Sequence, residues 1–363
     1  MASFQKRGKT WQYTVSNKGV PIRKGGFRTK KEAQIAAAEV EDQLNKGLYM
    51  KQNDILLSEY FDGWVRTYKS TVSKNTLSTY KNTSKTIEKI FEGKTIQSID
   101  KRTYQDVLNT LGKKKTKETL KKFNGHIRAC VRDAIDEGII RVDFTRNVTI
   151  NGLEGKKKSE KYLNYDDAQK LLEMIHSRLD RTMTYHLLLL SLTSGMRFAE
   201  IVGLTRNDFD FENNTINVDK TWGHTKNMHT GWGPTKNGVN RVIKMDKKTM
   251  NLFKNLFEET PDNPIGLVFY SPISKYKVLS NSVTNKVLKN VLNEIKIQLI
   301  TTHNLRHTHV SILLYQGVSI HYISKRIGHI NIQTTLNVYT HLIKELEERE
   351  EEKSINVLEE LYV

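Results

Sequence analysis

The period of the hydrophobic pattern changes twice along this chain, and these changes constrain the fold more than any other sequence feature. Up to Thr29, apolar residues alternate with polar ones, as in a half-buried strand. From about residue 53 to 150 they recur at helical spacing, and from Leu163 onward helical stretches alternate with short strands. Because 363 residues are also more than a single hydrophobic core ordinarily accommodates, we expect a multidomain protein, mainly α with small β-sheets.

The first block, residues 1–50, is predicted to be a small sheet followed by one helix. The segment "TWQYTVS" alternates as a strand does, and turn signals follow at "NKG" and "GG". A capping box of Thr29 and Glu32 then begins a helix that we expect to end at Gly47.

This block is also strongly basic, with nine Lys or Arg and no Asp or Glu through residue 31. Small sheets can insert one face into a DNA groove, and that interpretation is favoured here over a merely solvated basic end. The candidate DNA-binding residues are aromatic and cationic side chains at strand spacing: Trp11, Tyr13, Arg23, Lys24 and Arg28.

The second block, residues 53–150, is predicted to be an all-α domain. One helical face carries the apolar residues Leu57, Phe61, Trp64, Val65 and Tyr68. The run "GKKKTKETLKK" places six lysines between 113 and 122. Two interpretations of this run stay open: a solvated face, or a surface that flanks a DNA backbone. In the second case the contacts come from Lys114, Lys117 and Lys121.

The Gly-, Lys- and Ser-rich residues 151–162 are typical of a linker, after which a mixed α/β domain should occupy 163–343. Asn164 is placed to cap its first helix, "TMTYHLLLLSLTSG" predicts a buried helix, and "KNG" predicts a tight turn. The tail, 344–363, packs six Glu between 345 and 352. It is either a solvated helix or a segment that docks on a neighbouring protomer.

Charge and cysteine usage narrow the classes of partner. The formal net charge of +18 favours a polyanion, and nucleic acid before a membrane surface. The longest apolar run, "YHLLLLSL", is far shorter than a bilayer requires, and the amino terminus lacks the apolar core of a signal peptide. The single cysteine, Cys130, excludes an internal disulfide framework. We therefore expect a cytoplasmic, DNA-associated protein.

Four short clusters in the third block suggest chemistry: "SGMRFAE", "PTKNGVNR", "TTHNLRHTH" and "GHINIQTTLNVY". A metal site is disfavoured, because Asn304 stands where a zinc-protease helix with His303 and His307 would need its glutamate. Any one cluster alone could be structural, with Arg197 capping a helix or pairing with Glu200. His309 and His341 are assigned to structure or surface.

Together the clusters suit phosphoryl transfer without a metal. A tyrosine hydroxyl has an ordinary pKa of about 10 and is a poor nucleophile at neutral pH. Attack on a phosphodiester also builds negative charge on the non-bridging oxygens, which arginines can stabilise with paired donors. The leaving oxygen needs a proton, and a lysine on a mobile hairpin tip can supply it as general acid.

These motifs resemble the catalytic domain of the tyrosine recombinases, the phage-integrase family. "SGMRFAEIVGL" is similar to the family's G-x-R-x-x-E motif, "THNLRH" to its H-x-x-R box, and "TTLNVYTH" to the segment that carries the nucleophile. By this resemblance the catalytic residues are Arg197, Lys236, His303, Arg306, His329 and Tyr339. Glu200 becomes a supporting residue, and the threonines before Tyr339 are expected to begin its helix.

Lys236 is the least direct of these assignments. In the family the lysine lies on a β-hairpin in a "KT-x-x-S-x-R"-like stretch, whereas this chain has "TKNGVNR" with a shorter spacing to Arg241. Lys236 still falls at the predicted turn and is therefore preferred. Lys220 and Lys226 remain alternatives.

The resemblance implies an integrase that cuts and rejoins double-stranded DNA through a 3′-phosphotyrosyl link, with no cofactor, metal or ATP. It implies an arm-binding domain (1–50), a core-binding domain (53–150), and a homotetramer on core and arm attachment sites. An accessory DNA-bending protein and an excision factor are further candidate partners. Two alternatives stay open: a type IB topoisomerase, and a catalytically silent DNA-binding regulator on the same scaffold.

Overall fold

The computed structural model forms two compact units, Met1–Gly155 and Lys156–Val363, each with its own hydrophobic core. The residues that the structure describes are 2–16, 21–45, 54–155, 162–236, 238–337, 339, 351, 354–356, 358–360 and 362. His341 and most of the acidic tail lie outside these ranges, so both interpretations of the tail, a solvated helix and a docking segment, stay open.

The first unit begins with a three-stranded antiparallel sheet and one helix. The strands are β1 (Ala2–Arg7), β2 (Thr10–Val15) and β3 (Ile22–Phe27), with β2 in the centre, and the helix is α1 (Lys30–Asn45). Tyr13 and Val15 alternate into a small core with Ala37 of α1, as the period-2 pattern requires.

The start of α1 follows the predicted capping box. Thr29 Oγ1 accepts a hydrogen bond from the Glu32 backbone N at 3.2 Å, and the Glu32 carboxylate accepts one from the Arg28 backbone N at 3.0 Å. Two donors at the helix start are thereby satisfied. Gly47, the predicted helix end, lies outside the described residues.

A helical subdomain completes the first unit. Its helices are α2 (Leu57–Tyr68), α3 (Lys74–Ile90), α4 (Lys101–Gly112) and α5 (Lys117–Asp136), with a 3₁₀ turn at Ile96–Ser98. The predicted apolar face of α2 is buried through Leu57, Phe61, Trp64 and Val65, whereas Tyr68 is 53% exposed. The Tyr68 hydroxyl instead donates to Glu137 Oε1 at 3.2 Å.

The start of the predicted linker belongs to this subdomain. The Lys117 backbone N donates to Leu153 O at 3.1 Å, and the Leu153 N donates to Lys115 O at 2.9 Å. A side chain at Gly152 would lie 2.7 Å from the Lys117 N, so only glycine fits there. Residues 151–153 are therefore held in place, which corrects the linker prediction at its start, while 156–161 lie outside the described residues.

The second unit mixes seven labelled helices with five short strands in its described part. The helices are α6 (Tyr165–His176), α7 (Met183–Ser194), α8 (Phe198–Ile201), α9 (Lys247–Glu259), α10 (Asn281–Glu294), α11 (Thr302–Tyr315) and α12 (Ile320–Ile327). The strands are β4 (Phe209–Asp210), β5 (Thr215–Val218), β6 (Lys220–Trp222), β7 (Trp232–Pro234) and β8 (Arg241–Lys244). Both sheets are antiparallel, one in the order β4–β5–β8 and the other pairing β6 with β7.

Helix α7 is the centre of the second unit, and ten of its twelve residues are buried. It packs against α6, α8, α9, α10 and α11, which explains why it is apolar on every side. As predicted, Asn164 caps α6 by accepting from the Asp167 N at 2.8 Å. Within the described residues, none of the helices combines the length and apolar character that crossing a membrane requires.

Candidate active site

Arg197 is placed by the sharp end of α7. Gly195 ends that helix in the left-handed conformation with φ of 67°, and Arg197 two residues later is the N-cap of the short helix α8. The Arg197 backbone N donates to Glu200 Oε2 at 2.8 Å, and its Nη1 donates to Glu200 Oε1 at 2.9 Å. Arg197 therefore both caps α8 and pairs with Glu200, while its catalytic role stays a prediction.

Glu200 supports Arg197 from a fully buried position, as the resemblance predicted. Its carboxylate also accepts two bonds from Arg241, at 3.2 Å from Nη1 and 2.7 Å from Nη2. Burial alone would raise the pKa of Glu200, but the hydrogen bonds and charges of Arg241 and Arg197 bring it below its ordinary value. Glu200 is thus an anion shared by two arginines.

Helix α11 presents Arg306 and two histidines on one side. Thr301 and Asn304 form a capping box at its start, and the helical repeat brings His303, Arg306 and His307 to neighbouring positions. Arg306 is 4% exposed, and it donates to Gly195 O at 2.8 Å and to Ile327 O at 2.6 Å. Burial and the charge of Arg197 lower its pKa to about 9, so it remains a cation at neutral pH.

The His303 residue as a whole is exposed, but its imidazole ring is partly shielded from water and lies near three cations. This shielding, together with the charges of Arg306, Arg197 and Lys236, lowers the pKa of the imidazole. Its ring contacts His307 edge-on, with centroids 5.1 Å apart. A neutral His303 at physiological pH can accept or donate a proton beside a bound phosphate.

Tyr339 is buried, with 2% of its surface exposed. Its hydroxyl lies 2.7 Å from His307 Nδ1. Burial raises the pKa of the phenol above its ordinary value, and the charge of Arg306 opposes that rise. Because a buried phenol loses its proton with difficulty, the imidazole within hydrogen-bond distance is the group best placed to receive it.

His329 follows the left-handed Gly328 that ends α12. Its Nδ1 lies 2.8 Å from Thr335 Oγ1, which fixes the ring. Burial and the nearby arginines, Arg306 first, lower its pKa to about 4, so the imidazole is neutral. Thr335 lies inside the helical stretch 332–337 rather than at its start, where Asn331 accepts from the Gln333 N at 2.8 Å. The prediction that the threonines begin this helix is therefore wrong.

Lys236 lies in the predicted turn, where the Gly238 N donates to Thr235 O at 3.0 Å. This turn joins β7 to β8, which belong to different sheets, so Lys236 is not at a hairpin tip as expected. Lys220 is bound to Asp208 and Asp219, and Lys226 is exposed; of the three lysines, Lys236 is the one that lines the same cavity as Tyr339. The geometry therefore favours Lys236 among the three lysines.

All six predicted catalytic residues line one cavity of about 460 Å³. Its described lining also includes His307, Ile330, Asn331 and Thr334. No carboxylate is among these lining residues. In the described part of the chain, no group of three or more His, Cys, Asp or Glu is arranged to hold a metal ion. The site therefore offers an anion three cations, Arg197, Arg306 and Lys236, together with the neutral imidazoles of His303 and His329 and a tyrosine hydroxyl.

The predicted DNA-binding residues are mostly on the surface. Arg23, Lys24 and Arg28 are exposed, and Trp11 is partly exposed with Lys30 Nζ 5.7 Å from its ring centre. Tyr13, however, is 2% exposed in the sheet–helix core, so it cannot reach DNA directly, which corrects its assignment. The lysines of the second block are exposed: Lys114, Lys117 and Lys121.

Two functional candidates were missed by sequence reasoning. His307 was considered only as a metal ligand, and Arg241 only as the end of the lysine motif. The signal for His307 was its position four residues after His303, on the same side of α11. His309 was correctly assigned to structure: it is buried between Leu192 O, 2.9 Å from its Nδ1, and Arg326 Nε, 3.0 Å from its Nε2.

Three family models match successive parts of this chain. The phage integrase family matches residues 161–345, the Arm DNA-binding domain matches 3–44, and the phage integrase N-terminal SAM-like domain matches 56–112. The first match covers half of the chain and contains every residue of the cavity.

Individual relatives and solved structures agree with these family matches. The integrase of Staphylococcus phage L54a is 26% identical over 82% of this chain and 91% of its own length. A XerC-like tyrosine recombinase of Caldanaerobacter subterraneus is 24% identical over 99% of both chains. The fold is similar to Tn1549 transposon integrase, with 18% identity, a TM-score of 0.68 and coverage of 81% and 99%. It is also similar to lambda integrase, with 15% identity, a TM-score of 0.62 and coverage of 92% and 93%. The chain belongs to the phage integrase family and is a tyrosine-type site-specific recombinase.

Proposed function

We propose that this protein integrates or excises a mobile genetic element by cutting and rejoining DNA through Tyr339. One observation carries the proposal: the Tyr339 hydroxyl shares a cavity with Arg197, Arg306 and Lys236. A phosphodiester in this cavity would meet a nucleophile, two arginines for its non-bridging oxygens and an acid for its leaving oxygen.

In the proposed step, the Tyr339 oxygen forms a bond to phosphorus while the bond from phosphorus to the 5′-oxygen breaks. The hydroxyl proton passes to His307 Nδ1, and Lys236 Nζ gives a proton to the departing 5′-oxygen. Arg197 and Arg306 stabilise the charge on the non-bridging oxygens. The 3′-phosphotyrosyl link conserves the bond energy, so a 5′-hydroxyl from a second strand reverses the same chemistry.

His303 and His329 are proposed to contact the phosphate as neutral donors. Because the pKa of each ring is lowered, each imidazole is neutral, with one nitrogen protonated and the other able to accept a hydrogen bond. A donor of this kind adds hydrogen bonds to the transition state without adding charge to a site that already holds Arg197 and Arg306.

Relatives supply the wider setting of the proposal. A lambda integrase tetramer has been solved on a Holliday junction, and Tn1549 integrase has been solved with a circular intermediate DNA. We propose that this chain likewise acts as a homotetramer on core and arm sites, with an accessory DNA-bending protein and an excision factor. Because DNA is its substrate and its relatives come from bacteria and a phage, the site of action is the bacterial cytoplasm.

A two-plasmid assay tests this function against its alternatives. With one attachment site on each plasmid and the accessory DNA-bending protein present, the protein should join the plasmids without added metal or ATP. A type IB topoisomerase would relax supercoils without joining them, and a silent regulator would bind DNA and do neither. Either result, obtained with the cognate sites, would overturn the proposed recombination.

A further inference from the structure

Three arginines converge on the last turn of α12. The Arg241 Nε donates to Arg326 O at 2.8 Å, and Arg306 Nη2 donates to Ile327 O at 2.6 Å. Arg197 Nη2 donates to Gly328 O at 3.2 Å. Three successive carbonyls at the negative end of the helix dipole thus accept from three different guanidinium groups.

Arg241 differs from the other two arginines in where it faces. Both Arg197 and Arg306 line the cavity that holds Tyr339, whereas Arg241 does not line it among the described residues. Strand β8 alternates buried and exposed positions, which turns Arg241 inward, and the residue is 8% exposed. Arg241 would therefore influence a phosphate bound beside Tyr339 through the residues that it contacts.

Those neighbours are catalytic residues or their supports. Both guanidinium ends of Arg241 bind the Glu200 carboxylate, which in turn holds the Arg197 backbone N and its Nη1. On its other side, Arg241 packs against the turn before His329. A side chain at Gly328 would lie 2.9 Å from Arg241 Nη1, so the backbone passes directly over the guanidinium.

We propose that Arg241 is a positioning residue that fixes two catalytic groups at once. Through Glu200 it sets the orientation of Arg197, and through Arg326 O it holds the end of α12 that presents His329. Arg326 reinforces the same turn from outside, since its Nη1 donates to Lys244 O at 2.7 Å. This inference rests on the proposed function, because positioning has meaning only if Arg197 and His329 act on a phosphate.

The argument for positioning is geometric. Arg241 offers a planar fork that matches both oxygens of Glu200 while its Nε reaches a third acceptor. A lysine at the same place would keep the charge but lose the fork. Without Arg241, Glu200 would keep Arg197 as its remaining paired cation, and the carboxylate could turn away from its present orientation. A displacement of about 1 Å in a catalytic group lowers the rate by roughly 100-fold.

The test is a double-mutant cycle on strand cleavage. Single-turnover cleavage of a nicked suicide substrate is measured at saturating protein for Arg241→Gln, Arg197→Lys and the double variant. We expect Arg241→Gln to slow cleavage by about 100-fold with DNA affinity changed less than about threefold. If Arg241 acts partly through Arg197, the double variant should lose less activity than the product of the two single losses, and the loss that remains in the Arg197→Lys background is the part that acts through His329.

Arg206→Gln is the matched control. Arg206 also binds backbone carbonyls, Phe257 O at 2.8 Å and Thr260 O at 2.6 Å, but it lines a separate small cavity. Its loss should leave cleavage unchanged, alone or combined with Arg197→Lys. If Arg241→Gln melts below the assay temperature, Arg241→Lys and Glu200→Gln give the same cycle, with an intermediate loss expected for the lysine.

Two results would overturn the positioning role: cleavage at the wild-type rate by a folded Arg241→Gln, or losses that simply multiply in the double variant. A wild-type protein that forms no covalent complex on its cognate site would overturn the proposed function, and the positioning role with it. The wild-type reaction in the same experiment therefore distinguishes a failure of the proposed function from a failure of the positioning role alone.

Discussion

At the scale of single residues, the contact between His307 and Tyr339 matters most. The tyrosine is buried and its pKa is raised, so the hydroxyl needs a base to become a nucleophile. His307 Nδ1 is 2.7 Å away and meets the distance requirement for that base. The remaining ring nitrogen can then pass the proton onward.

Replacing His307 by phenylalanine should therefore slow cleavage without weakening DNA binding. We expect a loss of about 100-fold in the single-turnover rate, the lower end of what a general base contributes. His307→Asn, which keeps an acceptor near the Nδ1 position, should lose less. His321→Asn, an exposed histidine on α12, is the control. Wild-type cleavage by folded His307→Phe would rule out this role.

At this scale, the sequence predicted which residues lie close together only where spacing along one helix decides their proximity. His303 and Arg306 lie about one turn apart on α11, so the motif alone predicted that they are neighbours. The partnership of His307 with Tyr339 joins residues 32 positions apart. The bond between Glu200 and Arg241 spans 41 positions. Neither distance follows from a local period, and both required the fold.

At the scale of elements, the ends of helices build the site. Helix α7 ends at Gly195, whose carbonyl binds Arg306, and α12 ends at Gly328, whose carbonyl binds Arg197. Glycine is needed at both positions because each has a left-handed backbone, with φ of 67° and 68°. Hydrophobic period and capping residues predicted most helices. They did not predict that the turn carrying Lys236 connects strands of two separate sheets, because strand pairing depends on contacts between residues distant in sequence.

A substitution at Gly195 tests the role of the α7 end. A Cβ there would lie 2.6 Å from His309 Cδ2 in addition to the strain of its positive φ. Gly195→Ala should therefore lower the free energy of unfolding by about 2–4 kcal/mol, as strain and overpacking combine. It should also reduce cleavage, since the Gly195 carbonyl orients Arg306. Chemical denaturation and suicide-substrate cleavage measure the two effects.

Gly266→Ala separates the clash from the backbone strain. Gly266 has a similar φ of 71°, but a Cβ there meets no atom within 4 Å. This variant should lose about 1–2 kcal/mol and cleave normally. Equal destabilisation by the two variants would show that the contact with His309 contributes nothing.

At the scale of the whole molecule, charge and domain order point to DNA. The net charge of +18 is carried partly by an amino-terminal sheet with exposed Arg23, Lys24 and Arg28, and by the exposed lysines before α5. The sequence predicted this distribution because charge runs are local. It misassigned Tyr13, since a strand pattern shows that alternate residues share a face but not which face a helix covers. The domain limits 1–50, 53–150 and 163–343 remain a prediction.

The central claim is that Tyr339 is the nucleophile, and covalent capture on a nicked suicide substrate tests it most directly. Wild-type protein should form a denaturant-resistant complex with the 3′ end of the cleaved strand, and peptide mapping should place the DNA on Tyr339. Tyr339→Phe should bind the same DNA and form no complex, while Tyr315→Phe, at the end of α11, should behave as wild type. A complex that persists in Tyr339→Phe, or that maps to another residue, would contradict the account.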